Sequence, residues 1–215
     1  MAKQGTAVIG AGFIGPVHVE ALRRAGQRVV GIMGVDEAES KRAAAALDID
    51  RAYLTLDEIW ADDNVRAVHI AVPNKLHYPM ASAALSAGKH VVLEKPVTVT
   101  LDDTRALAAE AKAANRLLAV FHNRRLDADY LTLKRHLDAR DLGELVELEW
   151  HYDRYRAIVT HKQWKEDDLP GAGTWFDLGI HLVEGMLNLF GQPLSVAADM
   201  DSLRRPNAAT DYFAV

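Results

Sequence analysis

The sequence predicts an α/β chain in two parts, a doubly wound parallel sheet followed by an α+β domain with a largely antiparallel sheet. Three observations predict it. Apolar runs of strand length alternate with helix-period segments up to about residue 121, the pattern of successive βαβ units. Several of those runs are apolar almost throughout, as strands covered by helices on both faces are. Beyond residue 121 a long stretch alternates apolar and polar residues instead, which fits antiparallel strands with one solvated or ligand-facing side.

The expected strands of the first part are Thr6–Ile9, Arg28–Met33, Arg66–Val72, His90–Leu93 and Leu117–Phe121. Helix ends between them are legible. Thr55-Leu56-Asp57-Glu58 reads as a capping box, and Gly88 closes the segment that begins near His77. A third helix, Leu101–Ala114, follows Thr100 as N-cap and is rich in Ala, Leu, Glu and Lys. In the second part a helix from about Leu126 to Ala139 precedes a strand-like run, Glu144–Tyr155, with Val146, Leu148, Trp150 and Tyr152 on one face. A helix over about Thr174–Phe190 and two strand-like pieces, Leu194–Ser202 and Asp211–Val215, complete the reading. The domain boundary falls at 123/124.

Composition narrows the function classes. The chain has 215 residues and a net charge of −5, and that acidic balance argues against a binder of phosphate backbones, which needs a basic excess. No stretch approaches the roughly 18 consecutive apolar residues of a membrane span, and the N-terminus has no secretory apolar region. A cytoplasmic protein is expected. With no cysteine, disulfides, zinc fingers, iron–sulfur ligation and thiol nucleophiles are excluded, leaving His and carboxylates as metal ligands. The histidines show no HExxH or comparable spacing, so no metal is expected, and His122, His136, His151 and His161 are assigned to surface or network positions.

The chemistry-bearing motifs follow the strands. Gly10-Ala11-Gly12-Phe13-Ile14-Gly15 opens the first βαβ unit, with Pro16 in the first turn of the next helix. Its glycines allow a tight turn, close approach to a pyrophosphate and close helix–strand packing, with the helix N-terminus facing the negative charge. This is the Rossmann dinucleotide-binding arrangement. The ribose-reading position lies about 20 residues further on, where Gly34 stands at the strand end and Asp36 two positions later. Ser40-Lys41-Arg42 could instead pair with a 2′-phosphate, or simply solvate the helix. NAD and NADP both remain open. Val72-Pro73-Asn74-Lys75-Leu76-His77 and Glu94-Lys95-Pro96 close the third and fourth strands, and ligands of open α/β sheets bind outside such strand ends. Pro73, Asn74, His77, Glu94 and Lys95 are therefore candidate cofactor-side residues. Gly171-Ala172-Gly173-Thr174-Trp175-Phe176-Asp177-Leu178-Gly179-Ile180-His181 places Asp177 and His181 four apart on a predicted helix, on one face. That pair suits proton transfer, although an exposed ion pair or two ligands of a metal site would share the spacing.

Taken in order, the first glycines, the Pro-Asn-x-x-His segment, the Glu-Lys-Pro triplet and the Gly-x-Gly-x-x-x-Asp-x-x-x-His run resemble the Gfo/Idh/MocA oxidoreductases, the glucose–fructose oxidoreductase and inositol dehydrogenase family. The resemblance covers essentially the whole chain. It implies reversible hydride transfer between a nicotinamide and a carbinol carbon of a sugar, polyol or related compound. Lys95, Asp177 and His181 match the family's catalytic positions, and Asn123 and Trp164 match further cofactor-side or substrate-side ones. Two other activities fit the same resemblance, a glycosidase assisted by transient oxidation with bound NAD, and a nucleotide-sensing regulator without turnover. An intact Lys95, Asp177 and His181 weighs against the regulator. Relatives are longer, which implies a C-terminally shortened substrate and oligomerisation domain over 124–215. An uncovered sheet edge and the face-to-face packing of such sheets in the family imply a homo-oligomer through the second domain, or else a loosened substrate site.

Overall fold

The computed structural model describes residues 5–155 and 166–215, and the chain divides into two compact units, Met1–Phe121 and His122–Val215. The first unit runs β1 (Gly5–Ile9), α1 (Gly15–Arg24), β2 (Arg28–Met33), α2 (Glu37–Ala46), α3 (Leu56–Ala61), β3 (Val65–Ile70), α4 (His77–Ser86), β4 (His90–Leu93), α5 (Leu101–Ala113) and β5 (Leu118–Val120). All strand pairs are parallel, in the order β2-β1-β3-β4-β5. Outside β2, a single parallel bridge joins Ile32 to Ala52. It is closed by Ile32 N–H to Arg51 O at 3.0 Å and Tyr53 N–H to Ile32 O at 2.9 Å. Counting this one-bridge strand, the sheet has the 3-2-1-4-5-6 order of dinucleotide-binding domains, with the switch point beside β1.

The period of two along the buried strands divides the core. Ala7 and Ile9 of β1 face one side, with Ile59 of α3, Leu85 of α4 and Leu107 of α5. Val8 faces the other side, with Val19 and Leu22 of α1 and Ala44 of α2. A helix layer on each face explains why β1 is apolar and buried at every position after Thr6. Caps hold the helix ends. Thr55 Oγ1 accepts the Glu58 N–H at 3.3 Å, and the Glu58 carboxylate reaches back to the Leu54 N–H at 2.9 Å, one residue beyond the usual partner of a capping box. Thr100 Oγ1 accepts the Asp103 N–H at 3.1 Å, and Gly88 takes the left-handed φ of +74° that ends α4.

The second unit contains α6 (Ala128–Ala139), a π-helical turn (Trp175–Gly179) continuing into α7 (Ile180–Phe190), and the antiparallel pair β6 (Asp199–Asp201) and β7 (Tyr212–Ala214). Two expectations are corrected. The stretch 144–155 forms no strand, so the only sheet among the described residues of this unit has two strands. Its alternation is nevertheless real from Leu148 onward: Leu148, Trp150 and Tyr152 are partly covered while Glu149, His151 and Asp153 are exposed. Trp150 stacks near Tyr130 at 6.2 Å and lies over Gly185 of α7. A period of two reports which side is covered; here helices and aromatic rings cover it and no neighbouring strand supplies a ladder. Leu194–Ser202 likewise contracts to Asp199–Asp201, leaving Leu194 and Val196 exposed.

Candidate functional site: a nucleotide cradle and an acid–base helix

The three glycines after β1 do three different things. Gly10 has φ +108°, and a Cβ there would meet the Ala71 carbonyl oxygen at 2.1 Å, so glycine is required where the loops after β1 and β3 touch. A Cβ on Gly15 would strike the Gly10 oxygen at 2.0 Å, which keeps α1 close to the strand end. A Cβ on Gly12 would meet nothing within 4 Å. Among the described residues its bareness serves no packing purpose, and the open space beside it is where a pyrophosphate approaches in the dinucleotide arrangement. Asp36, Thr55 and Thr100 side chains cap α2, α3 and α5, whereas α1 has no side-chain cap and no acidic residue in its first turn. Its positive end is thus available to an anion. Phe13 is 81% exposed on this loop, and Ile14 occupies the N-cap position. These residues fit a dinucleotide.

Beyond β2, Asp36 stands at the start of α2. Its Oδ1 accepts the Glu39 N–H at 2.7 Å as the cap of α2. The backbone N–H groups just before it are also used, Gly34 N–H by Ser40 Oγ at 2.8 Å and Val35 N–H by Glu39 Oε2 at 2.6 Å. Sequence reasoning misses Glu39, because it lies in α2, six residues beyond the end of β2.

After β3, Pro73 precedes a 3-10 turn, Asn74–Leu76. His77 is fully buried, its Nδ1 2.7 Å from Pro96 O and its Nε2 3.0 Å from Val72 O. It ties the loop after β3 to the Glu94-Lys95-Pro96 segment after β4. Burial is the largest influence on the ring and pushes its pKa below the ordinary value, against the pull of the two carbonyls. The expectation that His77 contacts a cofactor is therefore replaced by an indirect role through the backbone it holds.

Glu94 belongs to a network that sequence reasoning misses. His18 of α1, 2% exposed, places Nε2 2.9 Å from Glu94 Oε1, and the Lys95 N–H donates to Glu94 Oε2 at 3.2 Å. His69 Nδ1 lies 3.3 Å from His18 Nδ1, and the Phe121 ring packs on His18 at 4.7 Å. The Nε2–Oε1 contact pairs His18 with Glu94, and across the Nδ1–Nδ1 contact one imidazole donates and the other accepts. Burial, followed by the neighbouring His18, pulls the His69 pKa down from 6.5 to about 4. Below its ordinary pKa the unfolded chain takes a proton that the folded chain refuses, so stability is complete above about pH 6.5 and falls toward pH 4. The loss is at most ~3 kcal/mol, since each pH unit between the two values is worth about 1.4 kcal/mol. Urea unfolding across this range is expected to show that slope, reduced in His69→Gln; identical slopes in the two proteins would contradict it.

In the second unit, Gly173 has φ +86°, and a Cβ there would lie 2.7 Å from the Thr210 oxygen. The Gly-x-Gly of this motif thus lets the chain pass close to the segment leading into β7, and Thr174 N–H donates to Thr210 O at 2.6 Å. Trp175 lies on Gly179 and meets Phe213 of β7 edge-on at 5.4 Å. Asp177 sits in the π turn, and His181, 5% exposed, in the first turn of α7. The expected continuous α-helix is thus corrected to a π turn followed by α, a local irregularity that often accompanies function. Asn123 opens a 3-10 turn, Asn123–Leu126, and is exposed. His136 and His151 face Asp141 and Glu149 at 2.9 and 3.5 Å on the surface. Trp164 and His161 lie outside the described residues. Among the described residues no group of three or more His, Asp or Glu is placed to hold a metal, and no helix is long and apolar enough to cross a membrane.

Comparison with known proteins agrees with this architecture. Residues 5–122 match the "Oxidoreductase family, NAD-binding Rossmann fold", and residues 130–215 match the "GFO/IDH/MocA C-terminal domain". The chain is 48% identical over 155 residues to the uncharacterized oxidoreductase YdgJ of Escherichia coli, covering 72% of this chain and 44% of that protein. It is 38% identical over 158 residues to the scyllo-inositol 2-dehydrogenase (NADP(+)) IolW of Bacillus subtilis, covering 74% of this chain and 44% of that one. Among solved structures, the oxidoreductase yvaA of Bacillus subtilis superposes with a TM-score of 0.87 at 32% identity, covering 98% of this chain and 60% of that chain. The chain spans about half the length of the curated relatives it matches. With both family regions matched along nearly its whole length, the chain belongs to the Gfo/Idh/MocA oxidoreductase family.

Proposed function

We propose that the protein is an NAD(P)-dependent oxidoreductase acting on a carbinol carbon of a sugar, polyol or related hydroxy compound. The observation that carries the reading is the cradle after β1, where Gly12 faces open space while its two partner glycines are packed shut. The inositol dehydrogenase name of one relative supports the choice of a polyol-like substrate.

The dinucleotide, when bound, supplies hydride acceptance and donation. The chain's residues do the rest. Gly10, Gly12, Phe13, Ile14 and Gly15 receive the pyrophosphate at the start of α1, and Pro73, Asn74, Glu94 and Asn123 border the cofactor at the strand ends. His77 braces the backbone of the loops after β3 and β4, and His18 holds the Glu94 carboxylate. His181 takes the hydroxyl proton as the carbinol is oxidised, and the Asp177 carboxylate orients the imidazole and favours its charged form. Lys95 offers positive charge to the developing alkoxide. Self-association through the second unit belongs to the same reading, since Val146, Leu194 and Val196 are exposed there; light scattering across a dilution series tests it.

The activity test follows nicotinamide absorbance while a panel of sugars and polyols is offered with NAD and with NADP. Reduction with at least one carbinol substrate is expected. Nucleotide binding with no absorbance change across the panel would overturn the carbinol assignment.

A further inference from the structure

The end of β2 decides between NAD and NADP, because the adenosine ribose lies there in this type of domain and an acidic side chain at that place accepts from its hydroxyls. Gly34 occupies the strand end and has no side chain to offer. The structure fills the gap from the next helix. A Cβ on Gly34 would sit 2.7 Å from Glu39 Oε2 and 2.8 Å from Glu39 Cγ, so the half-buried Glu39 side chain lies in the volume that a residue 34 side chain would take. The Val35 N–H fixes Oε2 at 2.6 Å. One accepted bond leaves most of the lone pairs of an ionised carboxylate for further donors.

Within the rival stretch, Ser40 is buried and bonded, and Lys41 has an ion-pair partner on the surface. Ser40 is 1% exposed, and its hydroxyl both accepts from the Gly34 N–H and donates to Asp36 O at 2.9 Å. Lys41 pairs with Glu37 at 2.5 Å on the outer face of α2. Arg42 is exposed, three residues beyond Glu39 on the same helix.

We infer that Glu39 is the ribose-reading carboxylate of this chain and sets its preference for NAD over NADP, by accepting from the ribose hydroxyls and repelling a 2′-phosphate. This rests on the dinucleotide site proposed above. Gly34 and Glu39 then act as a pair, the glycine making room for the carboxylate that the strand end lacks.

Calorimetric titration of the chain with NADH and with NADPH tests it without any turnover. The expected result is NADH bound at least about tenfold more tightly, a difference of the size that one misplaced charge makes. Glu39→Gln keeps the shape and an acceptor for Val35 but removes the charge, and is expected to shrink that ratio by about tenfold, mostly through tighter NADPH. Matching thermal melts show that the variant is folded; should it unfold, Lys41→Ala/Arg42→Ala in its place is expected to leave the NADH preference standing. Equal affinities, or tighter NADPH in the unmodified chain, overturn the inference while leaving the dinucleotide site intact. An unchanged ratio in folded Glu39→Gln overturns it too. Failure to bind either nucleotide overturns both readings.

Discussion

His181→Ala is expected to lower turnover by about 10²–10⁴-fold, the usual contribution of a positioned general acid–base group, while nucleotide affinity changes little. Turnover reports the chemistry and calorimetric titration reports cofactor binding, so the two measurements separate them. Because His181 is 5% exposed, truncating it also opens a cavity, and thermal melts must show that the variant is folded at the assay temperature. Asp177→Asn keeps the shape of its side chain but withdraws the charge, and a smaller loss of turnover together with a shifted pH–rate profile is expected. If turnover is unchanged in folded His181→Ala, the proton leaves by another group.

The second large effect separates two glycines that are two residues apart. Gly12→Val is expected to abolish nucleotide binding in a protein with near-normal stability, since a Cβ at that position meets nothing within 4 Å among the described residues. Gly10→Val is expected to fail differently. Its φ of +108° and the Ala71 oxygen 2.1 Å from a Cβ require the loops after β1 and β3 to separate, a backbone and packing strain of several kcal/mol. Calorimetry and urea unfolding of both variants check the contrast. Normal nucleotide affinity in Gly12→Val places the dinucleotide elsewhere.

The parts of the fold that are legible in the sequence are those whose signal is local. β2 and β4 are legible to the residue because helices cover both faces of their sheet and leave an unbroken apolar run. Thr55, Thr100 and Gly88 are legible because a cap depends only on residues within one turn. What escapes is non-local. The strand at Ala52 amounts to one bridge and leaves no periodic trace. The His18–Glu94 contact joins residues 76 apart in sequence, and nothing near either one announces the other. The run 144–155 reads as a strand because its period of two describes coverage, and sequence alone does not say whether a helix face or another strand provides it.

The same division holds for the candidate site. The three glycines can be assigned from their order, yet only the structure separates the two that are closed by neighbours from the one left open. Asp36 is legible by position, and only the structure shows that one of its carboxylate oxygens caps α2. His77, singled out by the Pro-Asn-x-x-His spacing, proves to be a buried brace between two loops.

The most direct measurement is a crystal structure of the chain grown with NAD. The pyrophosphate is expected within hydrogen-bond distance of the backbone N–H groups between Gly12 and Gly15, at the start of α1. A nucleotide bound with its pyrophosphate away from that loop, in a protein whose β1–α1 turn is otherwise unchanged, would contradict it.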